Sequence, residues 1–217
     1  KAQVAPRRWT SRIENSATDH NRIEGALEIA HLPGAFVSEE VPTYFPDDGC
    51  KVHVLVLDIT EAQHVDIQKC RANIYDLTAY LRRAGIRHAV AHPLYRVNDR
   101  LALEHFERLL LLFTHFEING ARSRTANDSL RTLLQGLTPA VMARLAERHG
   151  LAPAGERPWV KGMVGGSDDH SSLTIARTHT RVPGATTVAE LLQGIDAGRA
   201  VGEGHPSSPK TMAHNFY

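Results

Sequence analysis

The sequence predicts an α/β fold with largely parallel strands, and three observations point to it. Short apolar runs of strand length alternate with stretches of helical periodicity. Turn signals such as Leu32-Pro33-Gly34 and Asp47-Asp48-Gly49 separate them. Potential metal ligands recur at the ends of the apolar runs, where the chemistry of an α/β scaffold usually sits.

Taken in order, residues 22–30 predict a short helix, stopped by the Pro33-Gly34 turn, and residues 35–41 a strand. Asp47-Asp48-Gly49 predicts a hairpin-like turn into a strand at 51–58. From 61 to 84, apolar side chains at Cys70, Ile74, Leu77, Leu81 and Ala84 keep helical spacing, with Thr60 as N-cap and Gly85 as the stop. A strand at 87–91 follows, then a helix near 99–112 with Phe106, Leu109, Leu110 and Phe113 on one face, and a strand at 114–118. Helices are expected at 129–135 and 139–148, a Pro/Gly-containing loop at 150–158, strands at 159–164 and 174–180, and a helix at 188–197 capped by Thr186 or Thr187. The run 109–113 is too short to be anything but core.

Composition narrows the class. At 217 residues, 42% hydrophobic and 23% charged, the chain suits one soluble domain with a sizeable core. A formal charge of +1 provides no broad basic field for nucleic acid or an anionic membrane, so any bound phosphate must be held locally. Neither partner is expected. Cys50 and Cys70 do not form a disulfide framework, and with no apolar span and no signal-peptide pattern they predict a reducing, cytoplasmic address.

Six side chains are candidate metal ligands: His20, Glu40, His53, His92, Asp168 and His170. Imidazole and carboxylate ligands suit zinc, manganese or iron, and carboxylates offset clustered dications. Each residue also has a plainer reading. His53 alone reads as a strand histidine, Asp168 with His170 reads as a helix cap with a satisfied histidine, and Glu39 competes evenly with Glu40. Glu117 reads either as support for a ligand or as a capping or solvated group, and Asp169 is expected to face away from its neighbours. The remaining histidines, at 31, 64, 88, 105, 115, 149, 179, 205 and 214, read as surface, cap or core-edge residues.

In this order, Thr18-Asp19-His20-Asn21, Glu40, His53, Ala91-His92-Pro93 and Ser167-Asp168-Asp169-His170 resemble the motifs of the PHP family, named for bacterial DNA polymerases and histidinol phosphatases. The motifs span residues 18–170, and 175–180 with 191–201 are similar to the family's closing elements. Residues 39–53 and 166–180 look like the branch sometimes joined to a glycosyltransferase-like domain. The resemblance implies a distorted seven-stranded β/α barrel whose strand ends hold up to three divalent ions (Zn, Mn or Fe), with fewer expected here. It implies that Glu40 bridges two ions, with Asp168 on the first and His53 and His92 on the second, while His20 and His170 hold the third. Asp19 would support the ligands or serve as an occasional one, and it joins Asp168 as a catalytic candidate. Arg96 and Arg122 are candidate clamps for the phosphate of a small substrate, because guanidinium matches phosphate oxygens in pairs.

The chain departs from the family at its start. A His-x-His strand is expected there, yet no histidine precedes His20, so the chain reads as a PHP-like domain over 1–201 lacking its first strand, with an exposed edge, and 202–217 as a linker or the start of an extension. Two functions follow. One is hydrolysis of a phosphoester by metal-bound hydroxide. The alternative is a catalytically impaired metal-binding or structural module supporting a fused glycosyltransferase- or polymerase-type domain.

Overall fold

The computed structural model describes residues 18–170 and 174–207, with residues 18 and 19 described by their backbone alone. Its elements run β1 (Thr18–His20), α1 (Glu24–Ile29), β2 (Ser38–Tyr44), β3 (Lys51–Leu57), α2 (Glu61–Cys70), α3 (Ile74–Arg83), β4 (Arg87–Val90), α4 (Leu103–Leu112) and β5 (His115–Asn119). They continue with α5 (Arg124–Gln135), α6 (Pro139–His149), β6 (Gly162–Gly166), β7 (Thr178–Arg181), α7 (Val188–Asp196) and β8 (Val201–Gly204). The fold is mixed α/β.

Strands β1 to β6 form one sheet in sequence order, and β7 pairs with β8 as a separate antiparallel ribbon in contact with β6. The expectation of largely parallel strands needs one correction. Strand β3 runs antiparallel to both β2 and β4, while β1–β2, β4–β5 and β5–β6 are parallel. The cause is the tight turn at Asp47-Asp48-Gly49. Phe45 N–H donates to Cys50 O, Gly49 N–H donates to Phe45 O, and Gly49 takes φ +70°, so the chain reverses directly into its neighbour. Among the described residues no pairing joins β1 to β6, so the sheet is open and the closed barrel that the resemblance implies is not formed there.

The principal core lies between the sheet and α2 to α6. Phe45, Ile67, Ile74, Leu77, Leu81, Leu109, Phe113 and Phe116 are its fully buried large side chains. Their periodicity on α3 and α4 makes those helices amphipathic, with one face against the strands. A second cluster of Val164, Val182, Leu192 and Ile195 sets α7 against the other end of the sheet.

The strands expected at 159–164 and 174–180 are Gly162–Gly166 and Thr178–Arg181, the helix expected near 99–112 starts at Leu103, and three further boundaries differ for local reasons. The single helix expected over 61–84 is two helices. Thr60 caps α2 through a reciprocal capping box with Gln63, and Asn73 opens α3 by accepting from Tyr75 N–H, interrupting a continuous apolar face. The strand expected at 35–41 is shifted to Ser38–Tyr44, and the helix expected from 129 starts at Arg124 behind the Ser123 cap. Gly202–Gly204 belongs to β8, and Ser207 N–H donates to Gly120 O, so the start of the tail read as a linker is tied into the fold. No helix among the described residues is long and apolar enough to cross a membrane.

Candidate metal centre

Strand register brings the candidate ligands together. His20 is paired with Glu40 across the parallel β1–β2 ladder. On the β2–β3 hairpin, Glu40 opposes Leu55 and Pro42 opposes His53, which makes Glu40 and His53 diagonal neighbours on one face. The β3–β4 pairing extends one residue past β4 through Ala91 N–H to His53 O, and the chain then turns at His92 with φ +30°. Asp168 lies two residues beyond β6, also with positive φ (+47°), and Asn21, just after His20, has φ +55°. Non-glycine residues in that region are strained, and they concentrate where function demands a particular side-chain aim.

The side chains close a circuit. The ring of His20 lies 6.3 Å from that of His170 and 5.0 Å from that of His53, whose ring is in turn 5.0 Å from His92. Glu40 sits inside, its Oε1 accepting from His53 Nδ1 at 2.6 Å and from His92 Nε2 at 3.1 Å. The His92 ring meets Tyr95 edge-on at 5.5 Å, and the Arg122 guanidinium stacks over Tyr95 at 3.7 Å. Arg122 Nη2 reaches Asp168 Oδ2 at 3.4 Å, and Asp168 Oδ1 is 3.6 Å from His170 Nδ1. His20, Glu40 and His53 each offer a ligand atom, all within 4.8 Å of one another.

Electrostatics fix the proton positions. Burial pushes Glu40 up, but the hydrogen bonds from His53 and His92 outweigh it and hold its carboxyl well below the usual range. Burial pushes His53 down, which favours the neutral ring. With Nδ1–H donating to the ionised Glu40, the lone pair falls on Nε2, which is buried and has no partner. An orphaned interior lone pair is costly, and a cation would satisfy it. His92, also buried, is raised despite its desolvation by Glu40, Glu117 and Asp168. These residues fit a divalent ion, with His53 as a donor through Nε2, Glu40 as the carboxylate that orients its ring from Nδ1, and His20 close to both.

A second group, Asp47, Asp48 and His105, also lies within 4.8 Å. It fits a cation poorly. His105 Nδ1 accepts from the Ala102 backbone N–H at the start of α4, which places an N–H and not a lone pair on Nε2, 3.2 Å from Asp48 Oδ2 without a hydrogen bond. Arg108 already pairs with Asp47, and Arg100 donates to the Asp48 carbonyl.

Of the expected site residues, His20, Glu40, His53, His92, Asp168, His170 and Arg122 all join the circuit. Arg96 does not: it is exposed, and its guanidinium donates to the Asp99 carbonyl within its own loop. Asp19 is placed on β1 by its backbone, and its side chain lies outside the described residues. The contest between Glu39 and Glu40 is decided by strand alternation. Glu39 points to the other face, where it accepts from His64 and Gln68 of α2. Asp169 accepts from Thr174 N–H.

Sequence reasoning left Glu117 undecided and did not single out Tyr95 or Asn119. Glu117 is buried on β5, and its Oε2 accepts from His92 N–H and from Asn119 Nδ2, both at 2.8 Å. Burial raises its pKa to about 7. The available signal was a carboxylate between Phe116 and Ile118 on a strand buried on both faces, a position that acidic residues take only when paired. No family model matches the chain and no curated protein does, which leaves the arrangement of these side chains to carry the functional argument.

Proposed function

We propose that this chain is a PHP-type metal-dependent phosphoesterase domain, its open sheet forming most of the family's distorted barrel. The observation that carries the reading is the Glu40–His53 pair with the orphaned His53 Nε2, enclosed by the circuit of His20, His92, Asp168 and His170. His53 would hold one ion through Nε2 with Glu40 orienting its ring from Nδ1, and His20, His92, His170 and Asp168 would supply further donors. Bound divalent ions in such a site activate water and polarise a phosphoryl oxygen. The protein's own part is positioning. Arg122, stacked on Tyr95 and tethered to Asp168, keeps a buried Nε with no partner next to the cluster, suited to an anionic oxygen of a small phosphoester. Asp168, close to Arg122 and His170, would take up the proton of the attacking water.

The alternative is a PHP-like metal-binding module that supports a fused glycosyltransferase- or polymerase-type domain. The exposure of His20 and His170 favours it. Metal analysis by inductively coupled plasma mass spectrometry, with a phosphoester screen, separates the two. Near-stoichiometric Zn, Mn or Fe that falls in His53→Ala and Asp168→Ala, together with hydrolysis of a phosphomonoester, supports the enzyme. Bound metal without turnover supports the metal-binding module, and metal-free protein insensitive to both substitutions overturns the enzyme and leaves a structural module.

A further inference from the structure

Glu117 is a buried carboxylate that is not itself among the candidate ligands, yet it touches three of the segments that carry the site. Its Oε2 accepts from the backbone N–H of His92, immediately after β4, and from Asn119 Nδ2 at the end of β5. Asn119 is itself locked: its N–H donates to Asn127 Oδ1, its carbonyl accepts from Asn127 Nδ2, and its Oδ1 accepts from Ala121 N–H. The other carboxylate oxygen points at Gly166, the last residue of β6 before the Asp168 turn, so closely that a Cβ there would lie 2.2 Å from it. The absence of a side chain at 166 is therefore what leaves room for this carboxylate.

His92 needs such an anchor. Its φ of +30° is unfavourable for a residue with a Cβ, and its N–H has left the β3–β4 ladder, whose last bond is Ala91 N–H to His53 O. A backbone donor buried at that point must find an acceptor, and Glu117 provides it. The rotation at His92 is also what aims Nε2 at Glu40.

We propose that Glu117 is a positioning residue of the metal centre: it holds the backbone of His92 in the turn that directs the imidazole at Glu40. The proposal rests on the metal reading above. Outer partners of this kind typically change metal affinity by about 10- to 100-fold when removed.

The test titrates metal-free protein with Co(II) and follows its visible absorption for wild type, Glu117→Leu, Glu117→Gln, His92→Ala and the double variant Glu117→Leu/His92→Ala. Glu117→Leu is expected to bind about 10- to 100-fold more weakly with an altered spectrum. Glu117→Gln, which retains an acceptor oxygen for both donors, is expected to recover most of the affinity. Because Glu117 acts through His92, the double variant should bind no more weakly than His92→Ala. A purely structural role predicts instead an additional loss in the His92→Ala background, and that result overturns the proposal, as does wild-type affinity in Glu117→Leu. Should Glu117→Leu fail to fold by near-ultraviolet circular dichroism, Gly166→Ala replaces it, because the new Cβ must displace the carboxylate; unchanged binding there is equally fatal. Wild-type protein that takes up no Co(II) overturns the metal reading itself, and is thereby distinguished from wild-type binding that Glu117→Leu leaves intact.

Discussion

Adjacent glutamates on β2 provide a controlled perturbation, since the same chemical change falls on opposite faces of one strand. In Glu40→Gln the two hydrogen bonds from His53 and His92 lose their charged acceptor. A bond to a charged group contributes about 1.5–3 kcal/mol and a neutral one about 1 kcal/mol, so the metal-free protein should lose about 2 kcal/mol. For a chain of this size that lowers Tm by about 4–8 °C. In Glu39→Gln the carbonyl can still accept from His64 and Gln68, and the amide group replaces Oε1, which has no partner already. Burial also pushes Glu39 up, the opposite direction to Glu40, so the change should cost less than Glu40→Gln, about 1 kcal/mol or less. Differential scanning fluorimetry with and without added Zn(II) or Mn(II) reads both. An ion at about a hundred times its Kd stabilises by about 2.7 kcal/mol, raising Tm by about 5–11 °C. That increase should persist in Glu39→Gln and shrink markedly in Glu40→Gln, which loses the charged partner that orients His53. Retention of the full metal-induced increase in Glu40→Gln, or its loss in Glu39→Gln alone, refutes the assignment of faces.

Other outcomes follow from the surrounding structure. His88 packs edge-on against Phe113, donates Nδ1–H to Ile86 O and borders a cavity of about 230 Å³, and burial lowers its pKa to about 4. The unfolded chain binds more protons between pH 4 and 6.5, so stability should fall by up to about 3 kcal/mol as pH drops through that window, and His88→Phe should flatten the slope in urea titrations. Lys161 is buried, with Nζ donating to the Leu110 and Phe113 carbonyls at the end of α4. Lys161→Met strands both acceptors and should cost about 1–3 kcal/mol by urea denaturation; an unchanged midpoint would contradict the capping role. Tyr95→Ala removes the face on which Arg122 stacks, so KM for a phosphomonoester should rise about 2- to 10-fold with kcat little altered. A fall in kcat alone would assign Tyr95 a different part.

What was readable in the sequence depended on whether a residue's role is local. Thr60, Gly85 and Thr187 announce helix ends because caps act over three or four residues, and the structure has them in those roles. Asn73 was hidden because the apolar spacing runs on through Cys70 and Ile74 even though the backbone is interrupted. Strand β2 was misplaced for a different reason. Its Ser38, Glu39, Glu40 and Thr43 are buried yet polar, so period-two hydrophobicity does not mark it, and Pro42 is tolerated beyond His20↔Glu40, where the β1 pairing ends. At the candidate site the order of the side chains that cluster was legible, as was Arg122 beside them, while Arg96 lies apart from them because three residues of loop separate it from His92 without fixing its direction. Glu117 acts through a backbone N–H, and no spacing of residue types reveals such a contact.

The hairpin of β2 and β3 has a consequence for how the centre comes into being. Glu40 and His53 are only 13 residues apart, joined by one tight turn, so their contact requires closing a short loop and no rearrangement elsewhere. His92 and Asp168 must wait for crossovers through α2 to α3 and α4 to α6. The pair at the heart of the cluster is therefore local, and its other members are brought to it by long-range contacts that close more slowly.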